Sequence, residues 1–260
     1  MRKFLLLLIS LVLSACSATS SKNNRKSPEQ LTVLAYNIRH GEGMDNKIDL
    51  QRIADVISKV NPDLVALQEV DKFCKRSGQR DLARELGEML GMQHRFGKFM
   101  DYQGGEYGMA VLSRFPIIHT IRHALPDGAE PRCALEVQVQ APDLPSPLSF
   151  ISIHNDWTNE DIRVRQVEAL LKALEKRDNP IIMAGDFNGE RSDKSMQKIK
   201  YQGWNILNKK QKTFPADKPR VEIDFIVLKN FPEFLFEQQV VDERIASDHR
   251  PVLAAIAVSK

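Results

Sequence analysis

The segment Ile181-Ile182-Met183-Ala184-Gly185-Asp186-Phe187-Asn188 constrains this chain more than any other. A short apolar run between Pro180 and Gly185 has the length and composition of a buried strand. It stops on an Asp and an Asn two residues apart. Buried strands seldom finish on two polar groups unless those groups meet a ligand or each other. The ending recurs. Candidate strands at 31–37, 64–67, 149–153 and 223–228 end in, run into or carry Asn37, Glu69, His154 and Asp224, and Asp248-His249 precedes a final strand at 252–258.

Further strands are expected at 107–113 and 132–139. The run 64–67 is too uniformly apolar for a half-exposed position, so it belongs at the centre of a sheet. Helices are expected at 48–60, with Leu50, Ile53, Ala54 and Ile57 on one face and Asn61-Pro62 as the stop, and at 81–90, stopped by Gly91. Thr158-x-x-Asp161 reads as a capping box opening a helix to Glu175, with Val164, Val167, Leu170, Leu171 and Leu174 inward. A shorter helix is expected at 192–200. Strands punctuated by amphipathic helices indicate two packed sheets with helices outside, an α/β (α+β) architecture rather than a doubly wound sheet.

The first 29 residues stand apart. Arg2-Lys3, the apolar run from Phe4 to Leu13 and the small residues Ser14-Ala15 form a secretory signal at 1–15, too short for a bilayer span. Leu13-Ser14-Ala15-Cys16 resembles the bacterial lipoprotein box, in which the Cys becomes the lipidated first residue; Cys16 is the expected lipidation site. Residues 16–29 read as a polar tether, leaving 30–260 as one domain in a membrane-anchored protein of the cell envelope. The leader and tether hold Arg2, Lys3, Lys22, Arg25 and Lys26 against Glu29, so 30–260 carries 32 basic and 33 acidic side chains. A near-neutral domain lacks the broad positive field of a non-specific nucleic-acid binder, although a local basic groove is compatible with it. Cys74 and Cys133 are too few for a structural zinc site, and whether they pair is open at this stage.

Several common chemistries are absent. Gly91–Lys98 mimics a phosphate loop but has five residues between its glycines and Phe99 after the Lys. No Gly-x-Ser-x-Gly elbow and no His-Glu-x-x-His helix occurs. What remains is Asn37, Glu69, His154, Asp186, Asn188, Asp224, Asp248 and His249, all at strand ends or adjoining loops. This is the inventory that metal-assisted hydrolysis of a phosphate ester requires. Carboxylates hold a hard divalent cation, a carboxylate or His handles the proton of the attacking water, and donors hold the non-bridging oxygens. Oxygen-rich ligands with two dispersed His favour Mg2+ or Mn2+ over zinc or copper.

Seven pieces resemble, in order, the endonuclease/exonuclease/phosphatase family: Tyr36-Asn37-Ile38-Arg39, Gln68-Glu69, Tyr107-Gly108, Ser152-Ile153-His154, Gly185-Asp186-Phe187-Asn188, Ile223-Asp224-Phe225-Ile226 and Ser247-Asp248-His249-Arg250-Pro251. Together they cover essentially all of 30–260. The resemblance implies a four-layer α-β-β-α sandwich with its site where the two sheets meet at a rim. It implies Glu69 as principal metal ligand, supported by Asn37 and Asp248. Asp186 would polarise the water or relay a proton, and Asn188 would help hold the phosphate. His249, oriented by Asp224, would donate to a phosphoryl oxygen or act as base, and His154 would contact the phosphate.

Some members carry Asp where Arg39 stands here, so a one-metal site around Glu69 is expected, with Arg39 as a phosphate clamp. Asp71, Arg76, Asp81, Tyr107, Arg132 and the Thr213-Phe214-Pro215 loop are candidates for shaping the substrate pocket, with Tyr107 and Arg132 expected to bind substrate. His40, His94, His119 and His123 have no motif support and read as surface or structural. The plainer reading of Asn37 and Asn188, as turn formers after strands, is weaker in these motif contexts. Asp224 inside an apolar strand has no bland reading, because an unpaired buried carboxylate is costly.

The expected partner is a small or lipid-linked phosphate ester outside the cytoplasm, with a lipid anchor in the membrane. A secreted nuclease is the enzymatic alternative, since Lys209, Lys210, Lys212, Lys218 and Arg220 could track a nucleic-acid backbone. A lipoprotein that keeps the fold and only binds is the alternative of another class. Decay would strike Glu69, Asp186 or His249 first, and all three are present.

Overall fold

A computed structural model of the chain describes residues 30–141 and 144–258. The expected signal at 1–15, the tether at 16–29 and the lipidation site Cys16 lie outside the described residues. Twelve strands and four α-helices are described: β1 Gln30–Asn37, α1 Leu50–Val60, β2 Leu64–Lys72, α2 Leu82–Leu90, β3 Gln93–Tyr102, β4 Gly105–Ser113, β5 Ile117–Ala124, β6 Cys133–Val139, β7 Leu148–His154, α3 Glu160–Leu174, β8 Ile181–Asp186, α4 Lys194–Tyr201, β9 Asn205–Ile206, β10 Asp224–Lys229, β11 Phe234–Val240 and β12 Val252–Val258.

They form two six-stranded mixed sheets, ordered β11-β12-β1-β2-β4-β3 and β5-β6-β7-β8-β10-β9. The named strands pair antiparallel except β1 with β2 and β7 with β8, which are parallel and lie in the middle of each sheet. A parallel pair needs a crossover, and α1 and α3 supply them. The expected central position of 64–67 holds. The inner faces meet across a core that includes Val33, Ala66, Met109, Leu135, Phe150 and Ile226. The outer face of the first sheet packs under α1 and α2 through Leu34, Leu67 and Ile53. The outer face of the second packs under α3 and α4 through Ile151, Leu170 and Met196. This is the four-layer α-β-β-α sandwich.

Several local expectations change. The 64–67 run does not end at Glu69: β2 continues to Lys72 through a bulge, with the register shift between Gln68 and Val70. Glu69, the extra residue, adopts φ 57°. The bulge resets the alternation, so Val70 joins the helix-covered face and Asp71 is buried beside the rim. Asp49 and Asp81 cap α1 and α2 by accepting from Arg52 N and Arg84 N, so Asp81 is a helix cap and not a pocket residue. The third helix is capped by Asn159, not Thr158, because the Thr158 hydroxyl and amide both donate to Asp156 Oδ1, at 2.6 and 2.7 Å. Val164 is half-buried rather than inward. Strands β3, β5 and β11 were not apparent from periodicity. Each lies at a sheet edge or next to one and carries many exposed polar residues.

Cys74 and Cys133 are unpaired and buried, and their sulfurs donate to different carbonyls, those of Glu106 and Lys98. Burial pushes both thiols up to about 11.

Candidate active site

The strand registers assemble the site. In the second sheet, Asp224 of β10 pairs with Asp186 of β8, and Asp186 pairs with His154 of β7, placing the three in one row across adjacent strands. In the first sheet, Asn37 of β1 stands beside Gln68 of β2, with the Glu69 bulge next along. Gly185 lets the rows approach. Its φ is 145°, and a Cβ there would meet the Ile153 carbonyl oxygen at 2.1 Å and Gln68 Nε2 at 2.7 Å. Asn37 closes the gap between sheets, donating from Nδ2 to Glu69 Oε1 at 3.0 Å and to Asp186 Oδ2 at 3.2 Å. Gln68 adds a second link, donating to Ser152 Oγ at 3.0 Å.

His249 and Asp248 come from the loop before β12, fixed by Ser247 donating to the Asn37 carbonyl at 2.7 Å. The His249 Nδ1 lies 2.9 and 3.2 Å from the two oxygens of Asp224, and its Nε2 lies 3.7 Å from Asp186 Oδ2. His154 Nε2 approaches that same Asp186 oxygen at 3.5 Å. Asp186 therefore stands between two imidazoles. The Phe214 ring leans on His249 with centroids 4.7 Å apart, and Thr213 Oγ1 accepts from Asp224 N at 3.4 Å. The 213–215 loop thus backs the imidazole.

These surroundings fix the charges. Burial, reinforced by the Asp224 carboxylate, pushes Asp186 up to about 7. Burial opposes a charged His249, but Asp224 and Asp186 outweigh it and raise the imidazole to about 10. His154 is driven well below the ordinary histidine range by burial, the Arg132 cation and the positive His249.

The other expected residues divide. Asn188 sits at φ 50°, takes Asp186 Oδ1 on its amide at 2.9 Å and donates to the Asn155 carbonyl at 3.0 Å. Glu69, Tyr107, Arg132, His154, Asp186, Asn188, Asp248 and His249 all line one cleft of about 440 Å³. Asn37 and Asp224 lie behind them, fully buried or nearly so. Arg39 stands at the margin of this set, beside Asp248. It does not line the cleft, and its guanidinium lies beside Glu42 at 3.4 Å and Asp248 at 3.8 Å.

Arg76 also lines the cleft, forked onto the fully buried Asp71 by two 2.8 Å bonds and stacked over Tyr102 and Tyr107. Met100, Tyr102, Glu130 and Trp157 complete walls that the sequence did not single out. Trp157 directly follows His154-Asn155-Asp156 and is 64% exposed, so its place after a polar strand end was the available signal. Met100 and Tyr102 ride on β3, which alternation did not reveal. None of Lys209, Lys210, Lys212, Lys218 or Arg220 lines this cleft, and Lys210 and Lys212 line another.

Among the described residues, one cluster and one pair of cleft carboxylates are candidates for holding a cation. Asp186, Asp224 and His249 bring ligand atoms within 4.8 Å of one another. There the proton on His249 already supplies the positive charge between two carboxylates, and a metal would have to displace it. Glu69 and Asp248 instead present half-buried carboxylates to the cleft, an oxygen donor set suited to a hard divalent ion. The Asn37 amide oxygen accepts from Arg39 N at 3.1 Å while its nitrogen bridges Glu69 and Asp186. In this geometry the Asn37 side chain bridges the two carboxylates.

Two packed mixed sheets between helix layers, with carboxylates, amides and two imidazoles pooled where inner strand ends meet, define a hydrolase architecture of one kind. The sequence profile of the endonuclease/exonuclease/phosphatase family matches residues 34–249, and the chain belongs to that family. It is 27% identical over 245 residues to the uncharacterised protein YbhP of Escherichia coli, covering 86% of this chain and 95% of that one. A functionally unknown conserved protein of Enterococcus faecalis shares the fold at TM-score 0.74 and 20% identity, with 88% of this chain and 100% of that chain covered. A mannosyl-6-phosphatase of Bacteroides thetaiotaomicron shares it at TM-score 0.70 and 21% identity, covering 87% and 99%.

Proposed function

We propose that this protein hydrolyses small or lipid-linked phosphate esters, as a Mg2+- or Mn2+-dependent phosphodiesterase or phosphatase. The observation that carries the reading is the single row His154–Asp186–Asp224, capped by His249 and bridged through Asn37 to Glu69. Glu69 and Asp248 would hold the cation. Bound there, it would supply Lewis-acid polarisation of the phosphoryl oxygens and offset their charge. Asp186, raised to about 7, has the basicity to take a proton from the attacking water near neutral pH. His249, held positive by Asp224, donates from Nε2 to a non-bridging oxygen rather than acting as the base. His154 and Asn188 face the same space and orient the ester. Arg132 and Tyr107 form the substrate wall.

The cleft volume of about 440 Å³ supports the reading of a small ester as substrate. The lysines that would track a nucleic-acid backbone lie off it, so the nuclease reading gains nothing from the geometry. The Leu13-Ser14-Ala15-Cys16 box supports anchoring by a lipid on Cys16, outside the cytoplasm. Strand β1 begins at Gln30 and ends at Asn37, so a tether joining there enters roughly 23 Å from the site along an extended strand.

Hydrolysis of a panel of phosphomonoesters, phosphodiesters, DNA and RNA, with Mg2+ or Mn2+ and with chelator, tests the reading. Metal-dependent turnover of small esters is expected. Turnover of polymers alone would replace the reading with the nuclease, and no turnover of any ester would leave a binding protein.

A further inference from the structure

Besides its place in the substrate wall, Arg132 stands against His154 in a contact that the reaction outlined above does not use. Its side chain is only 2% exposed. One end of the guanidinium is held by Glu130 Oε2 at 2.9 Å, and its centre lies 4.9 Å from the Phe99 ring. The other end, Nη1, lies 3.3 Å from Nδ1 of His154. A guanidinium has five N–H donors and no acceptor, and it keeps its charge at any pH a folded protein meets. The imidazole nitrogen facing it must therefore offer a lone pair. A neutral ring then carries its one proton on Nε2, the atom that looks toward Asp186 Oδ2 at 3.5 Å. An imidazolium would set N–H against N–H beside a buried cation.

We infer that Arg132 is a positioning residue that locks His154 as the neutral tautomer protonated on Nε2, making it a fixed hydrogen-bond donor toward the ester rather than a proton carrier. The two histidines flanking Asp186 are thereby given opposite duties by opposite partners. Asp224 keeps His249 charged, and Arg132 keeps His154 neutral. Histidine tautomers are set by the bond made at the other ring nitrogen, and a cation does here what a carboxylate does for His249. The downward displacement of His154 by burial, Arg132 and His249 runs the same way. The donor role rests on the proposed hydrolysis. The tautomer does not.

The test is a long-range proton–nitrogen correlation spectrum of the full chain labelled with 15N-histidine, read without substrate, with His154→Asn assigning the resonance. A lone-pair Nδ1 and a protonated Nε2 are expected, unchanged between about pH 5 and pH 8, where an ordinary histidine titrates. Arg132→Met should let the tautomers mix and the ring protonate on acidification, with kcat falling about 10–100-fold, as loss of an orienting partner does. Arg132→Lys, also donor-only, should restore the tautomer and part of kcat. A proton on Nδ1 or an imidazolium in the wild-type spectrum overturns the inference, as does an Arg132→Met protein with the His154 tautomer unmoved. If that variant does not fold, the wild-type spectrum decides. Failure to hydrolyse any ester, with the tautomer as expected, removes the reaction and not the lock.

Discussion

The His249 imidazole donates from Nδ1 to Asp224 Oδ2 across 2.9 Å, and both side chains are almost completely buried. Asp224 opens β10, in register with Asp186, whereas His249 arrives from the other sheet just before β12. The pair thus ties the two sheets together at the rim and aims Nε2 at Asp186. Asp224→Asn keeps the shape and removes the charge. It should lower kcat roughly 10²–10³-fold with a smaller change in KM, since the lost interaction acts on charge developed in the transition state. Steady-state kinetics with a chromogenic diester checks this, and an unchanged kcat contradicts it.

The same pair sets a pH dependence of stability in metal-free protein. The His249 pKa is raised from 6.5 to about 10, so the charged pair stabilises fully below 6.5 and is lost as pH rises toward 10. Asp186 is raised from 3.8 to about 7, so folding favours its protonated form and that contribution is likewise lost as pH rises through 7. Both effects have one sign. Urea unfolding in chelator should therefore show stability falling from neutral pH to about pH 10, and Asp224→Asn should flatten the alkaline part. Stability that rises across this range contradicts the assignment.

Gly185→Ala should destabilise by roughly 2–3 kcal/mol, because the new methyl combines an unfavourable φ with contact on the Ile153 carbonyl. Activity should fall in the folded remainder as Asp186 moves away from Asn37. Chemical denaturation measures the first effect, and a cost below about 0.5 kcal/mol, the range of a neutral surface change, would show that the sheets do not need this approach.

How far the site could be read beforehand depended on what kind of signal each residue leaves. Asn37, His154, Asp186 and Asp224 terminate or open apolar runs, so their polarity stands out against the strand and the row could be anticipated. Glu69 was legible as a residue, but its bulge was not, because a single left-handed position leaves no pattern in Gln68-Glu69-Val70. Arg39 leaves a different kind of signal: its chemistry suits a phosphate, and only the fold reveals Glu42 and Asp248 beside it. Strands β3 and β11 carry alternation diluted by exposed polar residues, which hid Met100 and Tyr102 from the substrate wall. The Arg132–His154 contact joins residues 22 apart, one just before β6 and the other at the end of β7, so no local sequence pattern announces it.

Mass spectrometry of the mature protein tests its two ends of cysteine chemistry at once. Cys16 is expected as an acylated N-terminal residue, and an unmodified or internal Cys16 contradicts the anchor. Cys74 and Cys133 should both alkylate after denaturation without reductant and react slowly in the native state, since burial pushes both thiols up to about 11.

The most direct measurement compares Glu69→Ala with the wild type on bis-p-nitrophenyl phosphate, with Mg2+ or Mn2+, alongside Mn2+ binding by each protein. Glu69 presents its carboxylate to the cleft while accepting from Asn37, so its removal should weaken cation binding and lower turnover by about 10³-fold or more without unfolding the protein. Wild-type turnover no greater than that of Glu69→Ala, or equal Mn2+ affinity in both, would contradict a metal-dependent hydrolase centred on this residue.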